Sequence, residues 1–533
     1  MRQFFSSPVV SYSLMAILMV TLLGSEFLSS SARAAEHNPR LAEQIDARLN
    51  TVWQNAGIEP AELTTDTEFI RRVTLDLTGL IPRVGEIYEF EENDSPTRRA
   101  ELIDELLSRP RHAVHLANMW RSYLLSENIE NLNAAQIGGF EEWLRSRFRD
   151  NVPYNELVRE LLLAEGSFDQ VGPALYYSSL QVKPEELARS TSRTFLGVQI
   201  DCAQCHDHPF DDWKQADFWS FAAFFAQLSP QTGANPGMMQ GAPQLTDLAV
   251  GEVTLPDQEE AVPPRYFGES EPAEIKAPSR RAALAEWMTN ADNMLFARAT
   301  VNRVWSHLFG LGIVNPPDNF SSGNPPIDEE LLELIATDFV AHDFDLRYLL
   351  RELTNTRAYQ LSSRQATEEP AEESEQKTRY FARHAIKPFT ADQLYDGLVQ
   401  ATSQPILSAA AGSFNIDPQR TQFIQKFKRT GDNQTDYQAG IPQALTLMNG
   451  GLTSRAVTIK ESSLLKALSA PFYTNQDRIN TLFLATLSHP PEAETGTMFL
   501  EYLEAQPDAP AQQTALGHIL WALLNSAEFT MNY

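Results

Sequence analysis

Apolar residues recur three and four positions apart along most of this chain, and proline or glycine cuts the pattern at intervals. That spacing lines one face of an α-helix and cannot line one face of a strand. Leu41, Ile45, Leu49 and Trp53 form such a row, and a second runs from Phe69 to Leu77, stopped by Gly79 and Pro82. Ser95-Pro96 predicts a helix start with proline in its first turn, running to Leu107. Further helices are expected over 111–126, 138–150, 154–164, 184–196 and 214–228. Thr390 and Gln393 form a capping box opening a helix to Ala401, and more helices are expected near 294–309, 328–341, 345–356, 476–488 and 511–526.

The pattern weakens over 229–278, which is rich in Pro, Gly and Gln. The expected fold is therefore mainly α, with helical domains at 38–228 and 279–533 joined by a Pro/Gly-rich linker at 229–278. The linker leaves room for a small β element in the strand-like run 249–255. The stretch 364–378 is charged and poor in apolar residues, which predicts a mobile loop.

The 533 residues are 43% hydrophobic and 21% charged, and the formal net charge is −28. A surface this acidic disfavours nucleic acid, whose phosphates need clustered Lys and Arg, and suits a cationic partner. Residues 1–34 read as a secretory signal. Arg2 precedes an apolar run from Leu14 to Gly24, and Ala32-Arg33-Ala34 supplies the small-x-small cleavage pattern. The run is too short for a membrane span, and no other segment offers one; the alternative is an uncleaved anchor. The expected location is periplasmic or secreted, with cleavage near Ala34.

The chain has only two cysteines, and both lie in 202-CAQCH-206. In haem c attachment, two thiols three residues apart add to the vinyl groups along one edge of the macrocycle. The histidine next to the second thiol becomes the proximal iron ligand. Those roles would fall to Cys202, Cys205 and His206, with one haem at most. Phe195, Phe210, Trp213, Phe218, Trp219, Phe221 and Phe225 surround the motif, and Phe218, Phe221, Ala222 and Phe225 make a helical apolar row. Such a row equally describes plain core.

Three other readings stay open. Cys202 and Cys205 could form a disulfide, which an oxidising compartment permits. Cys202, Cys205, His206 and His208 could hold a metal, although structural zinc prefers ligands from two separated knuckles. The motif could also carry no cofactor. The distal haem ligand is unassigned: His112, His115, Met119, Met238 and Met239 are candidates, and His208 lies awkwardly close in sequence. Asn302, Arg303, Trp305 and His307 share one helix and could line a pocket, or serve as core with Arg303 in an ion pair. There is no phosphate-binding glycine loop, no H-E-x-x-H and no G-x-S-x-G, so no enzymatic reaction is assigned.

Three segments, RRVTLDLTGLIP at 71–82, ELIDELLSRPR at 101–111 and FLGVQIDCAQCHDHPFDDWKQADFWSFAAFF at 195–225, resemble the cytochrome-c-like domain of planctomycete secreted proteins. Residues 280–314, 344–363 and 523–533 resemble the partner domain of unknown function that usually follows it. The resemblance implies a secreted, helical, two-domain protein with a covalent haem site. It also suggests a partner among sulfatase-like proteins of polysaccharide processing. Two functions follow as expectations. One is an exported c-type haem protein exchanging electrons with a redox partner. The other is a cofactor-free binding or scaffold protein of a polysaccharide-processing system with a Cys202–Cys205 disulfide. A hydrolase site between the domains is a third.

Overall fold

The computed structural model describes residues 40–125, 132, 134–167, 172–231, 244–366, 368–404, 418–427 and 440–533. The chain is about 60% helix and 4% strand, so the fold is mainly α. The signal-like segment 1–34, Met238 and Met239 lie outside the described residues. Among the described residues no helix is long and apolar enough to cross a membrane.

Two helices are buried along nearly their whole length. The first, Asp66–Thr78, starts where Thr65 accepts a hydrogen bond from the Glu68 amide. The second, Met294–Phe309, starts where Asn293 accepts one from the Phe296 amide. Neither has a solvent face, so their polar side chains must find partners inside the protein. The main core joins residues from Leu41 to Ala382, with Leu484. A second core joins Leu75 and Ile81 to residues between Phe389 and Phe529. Residues on both sides of the Pro/Gly-rich stretch thus pack into common cores.

The polar groups of the first buried helix bind the two halves together. Arg71 donates to the carbonyls of Thr486 (3.0 Å) and Phe529 (3.1 Å) and to Ser488 Oγ (3.2 Å). Arg72 donates to the carbonyls of Tyr359 (2.6 Å), Leu361 (2.8 Å) and Tyr533 (3.1 Å). The Asp76 carboxylate accepts from the Tyr359 hydroxyl (2.9 Å), Lys387 Nζ (2.9 Å) and Asn532 Nδ2 (2.8 Å). Lys387 Nζ also donates to the carbonyls of His307 and Leu308, each at 2.7 Å. Here β4 (Lys387–Pro388) pairs antiparallel with β5 (Met531–Asn532).

A three-stranded antiparallel sheet has the order β1 (Gly166–Ser167), β3 (Gln244–Asp247), β2 (Leu228–Gln231). The Pro/Gly-rich stretch therefore does contain a β element, but upstream of the expected run 249–255. That run is not strand, and only Thr254 forms an isolated bridge, to Ala261. At Gly251 (φ +152°) the run instead packs closely on another backbone segment, and a Cβ there would stand 2.2 Å from the Ala226 carbonyl oxygen.

Other differences have local causes. The charged stretch 364–378 is not a plain loop, because a helix spans Ala371–Arg379. Its stability comes from charge, with Glu369 accepting from Lys377 Nζ (3.0 Å) and from Arg383. The expected start at Ser95-Pro96 shifts to Arg98, since Asn93, Ser95 and Thr97 turn inward to hold the Glu101 carboxylate. The helix expected over 214–228 spans Gln215–Ala222 and tightens into a 3-10 turn at Ala223–Phe225.

Candidate functional site

The segment leading to 202-CAQCH-206 starts at the helix Pro184–Thr191, which widens into a π turn over Ser192–Leu196 and ends at Gly197. Gly197 has φ +69°, and a Cβ there would stand 2.5 Å from the Phe320 ring and 3.3 Å from Ala299 Cβ. The Phe320 amide donates to the Gly197 carbonyl (2.8 Å). A Gly197→Ala variant should lose about 2–4 kcal/mol, combining left-handed strain with overpacking. Urea unfolding measures it, and a loss below about 1 kcal/mol would mean that Phe320 swings away freely.

Val198 and Ile200 then bury, and Asp201–Gln204 forms a 3-10 turn. Cys202 lies within this turn and Cys205 caps its end, in the right-handed helical region of the backbone (φ −106°, ψ −29°). Ala203 between them is fully buried and anchors the turn, while both cysteines are exposed and unbridged. The helix Gln215–Ala222 supports the loop from below. Gln215 Nε2 donates to the Cys205 carbonyl (2.8 Å), and Trp219 Nε1 donates to the Gln204 carbonyl (3.0 Å). The Gln215 amide donates to Asp207 Oδ1 (3.0 Å), and Lys214 Nζ lies 3.4 Å from the same carboxylate. That amide bond, helped by Lys214 and His206, holds the Asp207 carboxyl below its usual range.

The two histidines of the loop differ in what they can donate. His206 is exposed, and its Nδ1 lies 2.7 Å from the Asp207 carbonyl oxygen. A carbonyl only accepts, so Nδ1 carries the proton and Nε2 keeps a lone pair for a metal. His208 Nδ1 instead accepts from the Phe210 amide (3.3 Å). In neutral His208 the proton therefore sits on Nε2, which removes that lone pair.

The expected distal ligands point elsewhere. His112 is buried with Nδ1 2.7 Å from the Leu77 carbonyl oxygen. His115 is buried with its ring 5.5 Å from that of His307, and Met119 packs against the main core. None of the three stands at the exposed motif. Among the described residues no three His, Cys, Asp or Glu side chains converge as metal ligands, so the zinc arrangement is not assembled. The aromatic row also resolves: Phe195, Phe218, Phe221 and Phe225 are core, while Phe210 is 87% exposed and Trp213 and Trp219 are half-buried.

Asn302, Arg303, Trp305 and His307 are all buried and engaged in packing, so these four are core and not a pocket wall. Asn302 Nδ2 donates to the carbonyls of Val314 (2.8 Å) and Pro317 (3.1 Å). Arg303 donates to the carbonyls of Arg193 and Thr194 and lies over the Tyr123 ring, where a carboxylate partner was expected.

A cleft of about 570 Å³ opens beside the motif loop. Its walls come from stretches 211–217, 265–269 and 320–332, with Arg298. The sequence offers no signal for it, since the walls meet only through folding.

Residues 44–230 match the model of the family PSCyt2, described as a protein of unknown function (DUF1549). Residues 280–438 match the model of PSD1, described as a protein of unknown function (DUF1553). The chain carries the two domains in tandem. No curated protein and no solved structure matches it significantly. The PSCyt2 domain contains the whole 202-CAQCH-206 loop and its supporting helix. The PSD1 domain supplies the buried helix Met294–Phe309 and the far wall of the cleft, and Arg71, Arg72 and Asp76 of PSCyt2 reach beyond it to residues 486–533.

Proposed function

We propose that this is an exported c-type haem protein that exchanges electrons with a cationic redox partner. The observation that carries the reading is the loop itself. Cys202 lies in a 3-10 turn that Cys205 caps, both cysteines are exposed, and neutral His206 beside them, with its Nδ1 proton on the Asp207 carbonyl, has Nε2 available for iron. These residues fit the group: the thiols would anchor it and His206 would be the proximal ligand. A bound haem supplies one-electron chemistry. The chain's own part is to hold the loop from below through Gln215 and Trp219, and to fix the His206 tautomer through the Asp207 carbonyl. Export fits, because haem c is ligated outside the cytoplasm, and a net charge of −28 favours a basic partner. The likeness to planctomycete secreted proteins suggests a place beside sulfatase-like, polysaccharide-processing proteins.

The second reading is a cofactor-free binding or scaffold protein, favoured by the absence of a distal ligand at the motif among the described residues. In it the two thiols close a disulfide. Expression with the cytochrome c maturation machinery separates the two. A reduced haem spectrum with one haem retained through denaturation is the expected result, and Cys202→Ser with Cys205→Ser should reduce retention to none. A colourless wild-type protein lighter by two hydrogens would establish the disulfide and overturn the haem reading.

A further inference from the structure

The cleft beside the motif has a charge pattern of its own. Its walls carry Asp211, Asp212, Asp217, Glu269 and Glu329 against Arg265 and Arg298. Both arginines are already engaged: Arg265 with Asp217 (2.7 Å), and Arg298 with Glu333 (2.7 Å). Among the described residues no cation pairs with Asp211, Asp212, Glu269 or Glu329. The cleft therefore holds surplus negative charge in a concave space, where low-dielectric walls concentrate it.

Aromatic rings make up part of its remaining surface. Trp213 lies 4.8 Å from Phe267, which stacks on Phe221 at 4.3 Å. Tyr266 is stacked between Phe224 (4.9 Å) and Trp287 (5.0 Å), so it stiffens the wall and leaves the cation-facing role to Trp213. Aromatic faces attract cations and pack against aliphatic stems. The carboxylates do not converge, since no three of them form a metal-ligand group among the described residues. A compact ion is therefore poorly served, and an elongated molecule with separated charges is well served. The volume lies within the range of small-molecule sites, and the cleft forms between the two matched domains, where such sites concentrate.

The geometry points to a binding site for a small aliphatic amine carrying two or more ammonium groups, seated on Trp213 with its charges against Asp211, Asp212, Glu269 and Glu329. This site is independent of haem at 202-CAQCH-206.

The test is calorimetric titration of the purified full chain with spermidine at low ionic strength, in colourless and haem-loaded preparations. The expected result is saturable one-to-one binding, weakened by salt and absent for a neutral aliphatic diol of the same length. Asp212 and Glu269 are exposed, so the double variant Asp212→Asn, Glu269→Gln should fold normally and bind about tenfold more weakly, roughly threefold per charge lost. Glu329→Gln provides a second variant, expected to bind roughly threefold more weakly. Glu494→Gln, on a helix outside the cleft, should change nothing. No binding, uptake that never saturates, or equal weakening by Glu494→Gln would overturn the proposal. If spermidine binds a colourless chain that never takes haem, the cleft stands and the electron-transfer reading falls.

Discussion

Asp76→Ala should lower the stability of the fold by about 3–5 kcal/mol, the usual cost of breaking a buried ion pair from one side. Asp76 is buried and accepts from Tyr359, Lys387 and Asn532. Without it the Lys387 ammonium keeps only the carbonyls of His307 and Leu308. Burial already pushes the Lys387 pKa down, with Asp76 the main opposing influence. The diagnostic is the double variant Asp76→Ala, Lys387→Met. An uncharged stem in place of the ammonium removes the uncompensated charge, so the double variant should recover at least half of the loss. Urea unfolding of the three proteins decides it. A double variant as unstable as the sum of its parts would mean that packing around Asp76, not charge, carries the effect.

The second large effect is loss of stability in mild acid. His112, His115, His307 and His384 are all buried, and burial depresses all four pKa values, with His112 lowered to about 4. The unfolded chain takes up these protons near its ordinary histidine value of about 6.5. The folded state therefore holds its full advantage above that pH. It loses the advantage as pH falls, with a limiting slope of about 1.4 kcal/mol per pH unit for each histidine. For His112 the window runs from about 6.5 down to about 4. His489 has the opposite sign: burial works against its charge, but Glu528 and the Pro490 carbonyl hold the proton and raise its pKa. Its contribution is present at low pH and fades as pH rises through the folded value. The urea midpoint should fall steeply from pH 7 to pH 5, and His112→Gln should flatten the fall. A midpoint independent of pH across that range would sink the account.

What could be read from the sequence was what is local in the chain. Thr390 and Gln393 meet within one helical turn, and the structure shows both reciprocal bonds, with the helix ending at Ala401 as expected. Pro184 and Gly197 bracket their segment for the same reason. The motif was legible because its residues are adjacent, and in the structure a 3-10 turn at Asp201–Gln204 capped by Cys205 carries both exposed cysteines. The helix at Ala371–Arg379 was missed because it buries no side chain and rests on pairings of Glu369 that apolar periodicity does not register. The cleft was missed because Asp211, Glu269 and Glu329 meet from separate segments. The pocket considered around Trp305 failed because neighbours cover that stretch of the helix, a property of those neighbours and not of its own sequence.

The contacts of Arg71, Arg72 and Asp76 with residues near 530 also bear on how the protein reaches its fold. Asp76 and Asn532 are 456 positions apart, and Arg71 and Phe529 are 458 apart. Closing a loop of that length has an entropic cost that comes before any reward from the contact. Three polar side chains of an early helix therefore keep water as their partner until residues 359–387, and then the last stretch of the chain, arrive. High contact order of this kind makes folding slow and leaves the first domain exposed while it waits, so its assembly is governed by topology more than by the strength of any single interaction.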